Sequence, residues 1–117
     1  MPKTVLLCDD EEMIQELCAH VLKGYRVLSA LDASAAIGIV ANKETPAIDL
    51  ALIDVRLVGM DGRDLLRILR QMQPGMKAAY LTGLAEEHVD EFGTPVIYKP
   101  FTADALTFIV RELIGEP

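Results

Sequence analysis

The feature of this sequence that most constrains its fold is a regular alternation of short apolar runs with segments of helical periodicity. Segments between the runs, and one after the last run, carry apolar residues at the i, i+3, i+4 spacing that forms one face of a helix. The runs of strand length cover residues 4–8, 26–30, 50–53, 78–82 and 96–98. Strands and helices in alternation predict an α/β domain, with a parallel sheet covered by helices on both faces.

The helical segments differ in length. Apolar stripes define helices at residues 14–22, 35–40, 65–72 and 105–113. By contrast, only 13 residues, Gly83 to Pro95, connect the fourth run to the fifth. A whole crossover needs at least about 10 to 12 residues, so we expect a fourth helix that is shortened, near residues 85–91, or partly irregular.

Composition and charge indicate a small acidic globular domain. The chain has 117 residues, a net charge of −7 and a hydrophobic fraction of 51%, which supports a packed core. We expect one domain over residues 1–117, and its negative charge argues against direct nucleic-acid binding. The apolar runs are too short for a membrane span or a secretory signal. A cytoplasmic location is therefore expected, with Cys8 and Cys18 as reduced, mostly buried thiols.

Polar residues stand at the ends of four of the five predicted strands. Asp9 and Asp10 follow the first strand, Asp54 follows the third, Thr82 ends the fourth and Lys99 follows the fifth. Because ligands of open parallel sheets bind beyond the carboxyl ends of the strands, these side chains are expected to converge. Each has an ordinary explanation when taken alone, such as a helix N-terminus or a turn cap. Their joint placement indicates a functional site.

Three converging carboxylates require a cation. At an effective dielectric constant near 20, two carboxylates about 4 Å apart repel each other by about 4 kcal/mol. The single ammonium of Lys99 does not neutralise three such groups. Oxygen ligands with few fixed carboxylates and room for water suit Mg²⁺ best. The sequence therefore predicts a magnesium site at this edge of the sheet.

These motifs resemble the receiver domain of two-component response regulators, and the resemblance covers nearly the whole chain. The pair Asp9-Asp10 is similar to the family's acidic pair, and residues 54–62 (DVRLVGMDG) to its phosphoacceptor loop. Thr82-Gly83 is similar to the switch hydroxyl, and Lys99-Pro100-Phe101 to the lysine motif. The resemblance implies a flavodoxin-like, doubly wound sheet of five parallel strands in the order 2-1-3-4-5. It also implies a cis peptide bond between Lys99 and Pro100.

The resemblance further implies what the site residues do. Asp54 accepts a phosphoryl group from a histidine kinase or a phosphotransfer protein, Lys99 binds one phosphoryl oxygen, and the Thr82 hydroxyl donates to another. Phosphorylation draws Thr82 and its loop inward and switches a partner-binding surface. The protein is then a phosphorylation-controlled switch that catalyses only its own phosphotransfer and dephosphorylation.

The same resemblance implies a set of magnesium ligands and a lifetime for the phosphorylated state. Mg²⁺ is held by Asp10, Asp54 and the backbone carbonyl of Arg56, with Asp9 helping through water. Arg56 and Leu84 flank the route of an attacking water, and a long cation with a bulky apolar side chain excludes it. We therefore expect slow hydrolysis of the phosphorylated state.

The chain departs from the family pattern in three places. Val58 replaces the usual Pro in the loop after Asp54, which removes no catalytic group. Val96 stands where receivers commonly carry Tyr or Phe behind the switch hydroxyl, and Tyr98 is expected on the opposite face of the strand, unable to replace that ring. The shortened fourth helix reshapes the face on which output domains or dimers dock.

The short fourth crossover makes the chain similar to the receivers attached to the C-terminal end of hybrid histidine kinases. The expected partners are a histidine kinase or phosphotransfer protein, a fused or separate output domain, and a second copy in a homodimer. No direct contact with nucleic acid or membrane is expected.

Other functions fit the sequence less well. A pseudo-receiver that binds partners without turning over phosphate stays open because of Val96. A phosphatase with an Asp nucleophile needs an acid two residues later, where this chain has Arg56. A histidine phosphotransfer module needs a positioned His, whereas His20 and His88 fit ordinary surface positions. The chain also lacks a Gly-rich loop for nucleotide phosphates.

Overall fold

A computed structural model describes residues 2–83 and 93–117 of the chain. Strands and helices alternate through residues 4–82, and one further strand and helix follow residues 84–92, which lie outside the described part. The strands are β1 (Thr4–Cys8), β2 (Arg26–Ala30), β3 (Leu50–Asp54), β4 (Lys77–Thr82) and β5 (Val96–Tyr98). The helices are α1 (Glu12–Val21), α2 (Ala33–Ala41), α3 (Gly62–Met72) and α4 (Ala103–Ile114). The predicted α/β alternation is confirmed for these elements.

The five strands form one parallel sheet in the order β2-β1-β3-β4-β5. This is the flavodoxin-like order that the resemblance implied. Strands β1 and β3 lie at the centre, and every residue of both is buried. Central strands covered on both faces need continuous apolar runs, which is why their sequences, TVLLC and LALID, show no alternation of polar residues.

The sheet separates two apolar layers. Side chains such as Leu6, Ile53 and Leu65 pack on the face covered by α2 and α3, together with Leu69. The opposite layer lies under α1 and α4. Successive residues of a strand point to opposite faces, so each central strand supplies both layers.

Both cysteines belong to these layers, and both are free thiols, as predicted from the sequence. Burial raises the pKa of the Cys8 thiol and of the Cys18 thiol to about 12, with the Asp9 charge adding to each shift. Neutral, buried thiols of this kind are poor nucleophiles, so we assign them to the core.

The predicted shortened fourth helix, near residues 85–91, lies outside the described residues. The helix named α4 here is therefore the one predicted to follow the fifth strand. Among the described residues, none of the helices combines the length and the apolar character needed to cross a membrane.

The predicted position of Tyr98 is wrong. Val96 packs against the layer under α2 and α3, whereas Ile97 belongs to the opposite layer. The alternation of a strand returns Tyr98 to the same face as Val96. It lies two residues further along, where it is 46% exposed.

Gly62 allows α3 to begin directly against the end of β3. A Cβ atom at this position would lie 2.3 Å from the backbone oxygen of Asp54 and 2.8 Å from Cγ2 of Ile53. The backbone N–H of Gly62 also donates a hydrogen bond of 2.8 Å to the carbonyl of Val55. The loop after Asp54 is thus held against the helix by a contact that excludes any side chain.

We expect Gly62→Ala to lower the free energy of unfolding by about 1 to 3 kcal/mol, because the new methyl group forces backbone atoms apart. Gly38→Ala is the matched control. A Cβ atom at Gly38 in α2 meets no described atom within 4 Å beyond its chain neighbours and the backbone of its own helix, so this change should stabilise the helix by up to about 1 kcal/mol. Urea unfolding of both variants measures the difference. Wild-type stability in Gly62→Ala would contradict the close contact.

Two helices begin with caps that differ in charge. The Asp61 carboxylate accepts a hydrogen bond of 2.8 Å from the backbone N–H of Arg63 at the start of α3. The Thr102 hydroxyl accepts one of 3.0 Å from the N–H of Ala105, and so caps α4. Hydrogen bonds from the Arg63 side chain hold the pKa of Asp61 below its usual value.

These caps predict different pH dependences. Asp61→Ala and Thr102→Ala should each lower the free energy of unfolding by about 1 kcal/mol at pH 7. Because the folded-state pKa of Asp61 lies below the value of about 3.9 in the unfolded chain, its carboxylate stabilises the fold above that pH. This contribution disappears as the pH falls through the folded-state pKa. Urea unfolding at pH 3 should therefore show a smaller loss for Asp61→Ala and an unchanged loss for Thr102→Ala. Equal losses at both pH values in both variants would refute the assignment.

Candidate functional site

The site lies where β1, β3, β4 and β5 end at one edge of the sheet. Asp9 follows β1 and is fully buried, Asp54 ends β3 and is 6% exposed, and Thr82 ends β4 and is 1% exposed. Lys99 directly follows β5. The four strand ends converge because neighbouring parallel strands run in register. The residues that sequence placed at this edge are therefore together in the fold.

The Lys99 ammonium lies among three carboxylates. Its Nζ atom is 2.8 Å from Oδ2 of Asp9, 2.9 Å from Oε1 of Glu11 and 3.2 Å from Oδ2 of Asp54. The backbone N–H of Lys99 donates a hydrogen bond of 2.8 Å to the carbonyl of Thr82, which ties the lysine to the end of β4. The Lys99-Pro100 peptide bond is cis, as the resemblance implied.

The two oxygens of Asp54 face different partners. Oδ1 accepts a hydrogen bond of 2.9 Å from the backbone N–H of Arg56, and Oδ2 accepts one of 3.2 Å from Lys99. The side chain is 9% exposed and opens into a cleft of about 510 Å³. The lining residues are Asp10, Glu11, Asp54, Arg56, Thr82, Gly83 and Lys99. A small anionic ligand can thus reach a carboxylate whose orientation is fixed from two sides.

Asp9 is the most buried acid of the site. Its Oδ1 atom accepts a hydrogen bond of 2.9 Å from the backbone N–H of Glu11. Its Oδ2 atom contacts Lys99, but within the described part of the chain it has no donor at hydrogen-bonding geometry. Burial raises the pKa of Asp9, as does the charge of Asp54, and the Lys99 ammonium and the backbone N–H of Glu11 only partly oppose this rise. Burial alone would lower the pKa of Lys99, but Asp9, Glu11 and Asp54 raise it well above its usual value.

The donor set fits a hard divalent cation. One oxygen each from Asp9, Glu11 and Asp54 lies within 4.8 Å of the others, and carboxylate oxygens are the protein ligands that Mg²⁺ prefers. The buried Oδ2 of Asp9 has lone pairs for which residues 2–83 and 93–117 offer no well-aligned donor. One ammonium and three carboxylates also leave a local charge of about −2, which favours binding of a cation.

Glu11 is the residue that sequence reasoning missed. Its place in a run of acids before a helix suggested only a favourable interaction with the helix dipole. The one available signal was its position directly after Asp9-Asp10. Asp10 is exposed and lines the cleft, but the three-oxygen cluster contains Glu11 in its place.

The remaining predicted residues occupy different surroundings. Arg56 is exposed and lines the cleft, whereas Leu84 lies outside the described residues. Val58 is 55% exposed, and Val96 packs against the layer under α2 and α3. His20 is exposed on α1, as expected of a surface histidine, and His88 is not among the described residues.

The chain belongs to the response regulator receiver domain family, whose model matches residues 5–111. It is 32% identical over 97% of its length to the probable transcriptional regulatory protein TcrX of Mycobacterium tuberculosis, and spans 50% of that relative. It is 28% identical over 97% of its length to sporulation initiation phosphotransferase F of Bacillus subtilis, and spans 95% of it. The chain is thus a receiver domain, and receiver domains are signalling switches rather than enzymes in the ordinary sense.

Solved structures agree with this assignment. The receiver domain of the hybrid histidine kinase CckA superposes with a TM-score of 0.81 at 27% identity, covering 95% of this chain and 98% of that one. A CheY-like receiver domain protein from Methanospirillum hungatei JF-1 gives a TM-score of 0.81 at 27% identity, with 96% and 93% covered. Receivers of this family bind Mg²⁺ in an acidic pocket and interact with histidine kinases or phosphotransfer proteins.

The ion cluster around Lys99 predicts that removal of the lysine and addition of magnesium have linked effects on stability. Lys99→Met leaves the buried Asp9 carboxylate unpaired, so we expect the free energy of unfolding to fall by about 1 to 3 kcal/mol. Millimolar Mg²⁺ should raise the melting temperature of this variant more than that of the wild type, because the cation replaces the lost ammonium. Lys43→Met, in an exposed loop, should behave as the wild type. A variant that Mg²⁺ stabilises no more than the wild type would contradict the cluster.

Proposed function

We propose that the single domain formed by residues 1–117 accepts a phosphoryl group on Asp54. The observation that carries this proposal is the fixed Asp54 carboxylate, which opens into the cleft while Arg56 and Lys99 hold its two oxygens. Phosphoryl transfer asks a protein mainly for positioning and charge neutralisation, and this geometry supplies both.

In the proposed reaction a carboxylate oxygen of Asp54 attacks the phosphorus of a phosphohistidine. The new bond joins that oxygen to phosphorus, and the bond from phosphorus to the donor's imidazole nitrogen breaks, leaving the electron pair on the nitrogen. Lys99 lies 3.2 Å from Oδ2 of Asp54 and neutralises charge on one phosphoryl oxygen. Thr82, at the neighbouring strand end, donates its hydroxyl to a second oxygen. Hydrolysis of the acyl phosphate later restores the carboxylate.

Magnesium would be held by Asp10, Asp54 and the backbone carbonyl of Arg56, with Asp9 acting through water. Bound there, the ion supplies Lewis-acid neutralisation of the phosphoryl oxygens. The buried Oδ2 of Asp9, which has no well-aligned donor among the described residues, and the cluster that includes Glu11 support a cation at this place. Asp10, exposed at the cleft, is positioned to turn toward such an ion.

We further propose that phosphorylation alters a partner-binding surface of the domain. Engagement of Thr82 draws the end of β4 and the loop after it toward the phosphoryl group. Val96 is smaller than the usual aromatic side chain, so the switch works without a swinging ring. The phosphoryl source is a cytoplasmic histidine kinase or phosphotransfer protein. The output is a fused or separate domain or a second copy of the chain, and the likeness to the CckA receiver supports a hybrid-kinase setting.

The test is phosphorylation by acetyl phosphate with Mg²⁺, followed by intact-mass measurement. We expect the wild type to gain one phosphoryl group and Asp54→Asn to gain none, because the amide is not a nucleophile. Asp104→Asn, which changes an exposed acid in the first turn of α4, should react like the wild type. Chelation of the metal should abolish the gain in the wild type and in Asp104→Asn.

Two results would contradict the proposal. A phosphoryl group on Asp54→Asn would place the acceptor elsewhere. A wild type that gains nothing, even from a cognate kinase, would make the chain a pseudo-receiver that binds partners without turning over phosphate.

A further inference from the structure

The side chain of the N-cap residue of α1 does not cap its helix. Glu11 occupies the N-cap position, and its carbonyl accepts hydrogen bonds from the N–H groups of Ile14 and Gln15. Its side chain makes no capping hydrogen bond. An N-cap side chain ordinarily accepts from an N–H group of the first turn, and short polar residues are preferred there. A long acidic side chain at this position is therefore directed to another partner.

That partner is Lys99. Oε1 of Glu11 lies 2.9 Å from Nζ of Lys99, at hydrogen-bonding geometry. The backbone of Glu11 is itself held in place, since its N–H donates a hydrogen bond of 2.9 Å to Oδ1 of Asp9. The Glu11 side chain is 56% exposed, whereas those of Lys99 and Asp54 are 13% and 9% exposed. Glu11 thus contacts the ammonium from the solvent side of the site.

We propose that Glu11 is a positioning residue that holds Lys99 in the unphosphorylated protein and competes with the phosphoryl group for it. The inference rests on the proposed function, because it assigns Lys99 to the phosphoryl oxygens. In the resting site the ammonium is shared among Asp9, Glu11 and Asp54. When an anion binds beside Asp54, the ammonium gives up its contact with Glu11. That loss opposes anion binding and favours the unphosphorylated state.

The competition predicts a measurable gain when the Glu11 carboxylate is removed. Beryllofluoride, a non-covalent analogue of the phosphoryl group, is the probe, with Mg²⁺ kept saturating. We expect Glu11→Gln to lower the dissociation constant about threefold, on the scale of one partly exposed ion pair. Glu12→Gln removes the same charge from the next, exposed residue and should leave the dissociation constant unchanged.

The Glu11→Asp variant distinguishes two explanations, one in which Glu11 holds Lys99 and one in which its charge only repels the anion. Asp keeps the negative charge at this backbone position, but it is one methylene shorter and is a preferred N-cap that turns toward its own helix. If Glu11 acts by holding Lys99, the Asp variant should bind beryllofluoride as tightly as Glu11→Gln. If Glu11 merely repels the anion, the Asp variant should bind as weakly as the wild type, which would overturn the proposal.

A spectroscopic readout on the free protein completes the experiment. The ¹⁵N resonance of the Lys99 ammonium should shift in Glu11→Gln and in Glu11→Asp, and should stay in place in Glu12→Gln. The inference would be wrong if the resonance did not move, or if Glu11→Gln bound beryllofluoride no more tightly than the wild type. In either case, binding of beryllofluoride by the wild type would leave the proposed function intact. Failure of the wild type itself to bind beryllofluoride or accept phosphate would contradict the proposed function and this inference together.

Discussion

The structure of the site depends on one ammonium group that faces three carboxylates. Lys99 lies within 3.2 Å of an oxygen of Asp9, of Glu11 and of Asp54. Without it, the fully buried Asp9 carboxylate would have no counter-charge at its Oδ2 atom among the described residues. The charges do not balance, and the excess of negative charge at this edge of the sheet favours the binding of a divalent cation.

The sheet positions these charges. Because β1 and β3 are buried on both faces, their ends cannot shift independently of the two core layers. Close contacts extend this rigidity into the loops. Gly62 packs against the backbone of Asp54, and the N–H of Lys99 bonds to the end of β4. Phosphoryl transfer needs positioned charges, so the apolar core contributes directly to the chemistry.

The acidic residues that follow β1 are neighbours of one type, but they have different roles. Asp9 is buried against Lys99, Asp10 is exposed at the cleft and Glu11 reaches Lys99 from the solvent side. Glu12 begins α1, where its charge meets the positive end of the helix dipole. In the sequence these residues form one patch of charge, and only the bend of the chain between strand and helix separates their functions.

The sequence by itself determined the fold and most of the site. The strands at 4–8, 26–30 and 96–98 have the predicted bounds, and those ending at Asp54 and Thr82 are each one residue longer than predicted. Apolar periodicity carries this information because it is set by burial, and strand order brings the ends together at one edge. The face that Tyr98 occupies follows from the alternation of a strand, a local rule that the prediction misapplied. The contact between Glu11 and Lys99, 88 residues apart, was decided only by tertiary structure. It depends on the distance between side chains of separate elements, which no local pattern in the chain records.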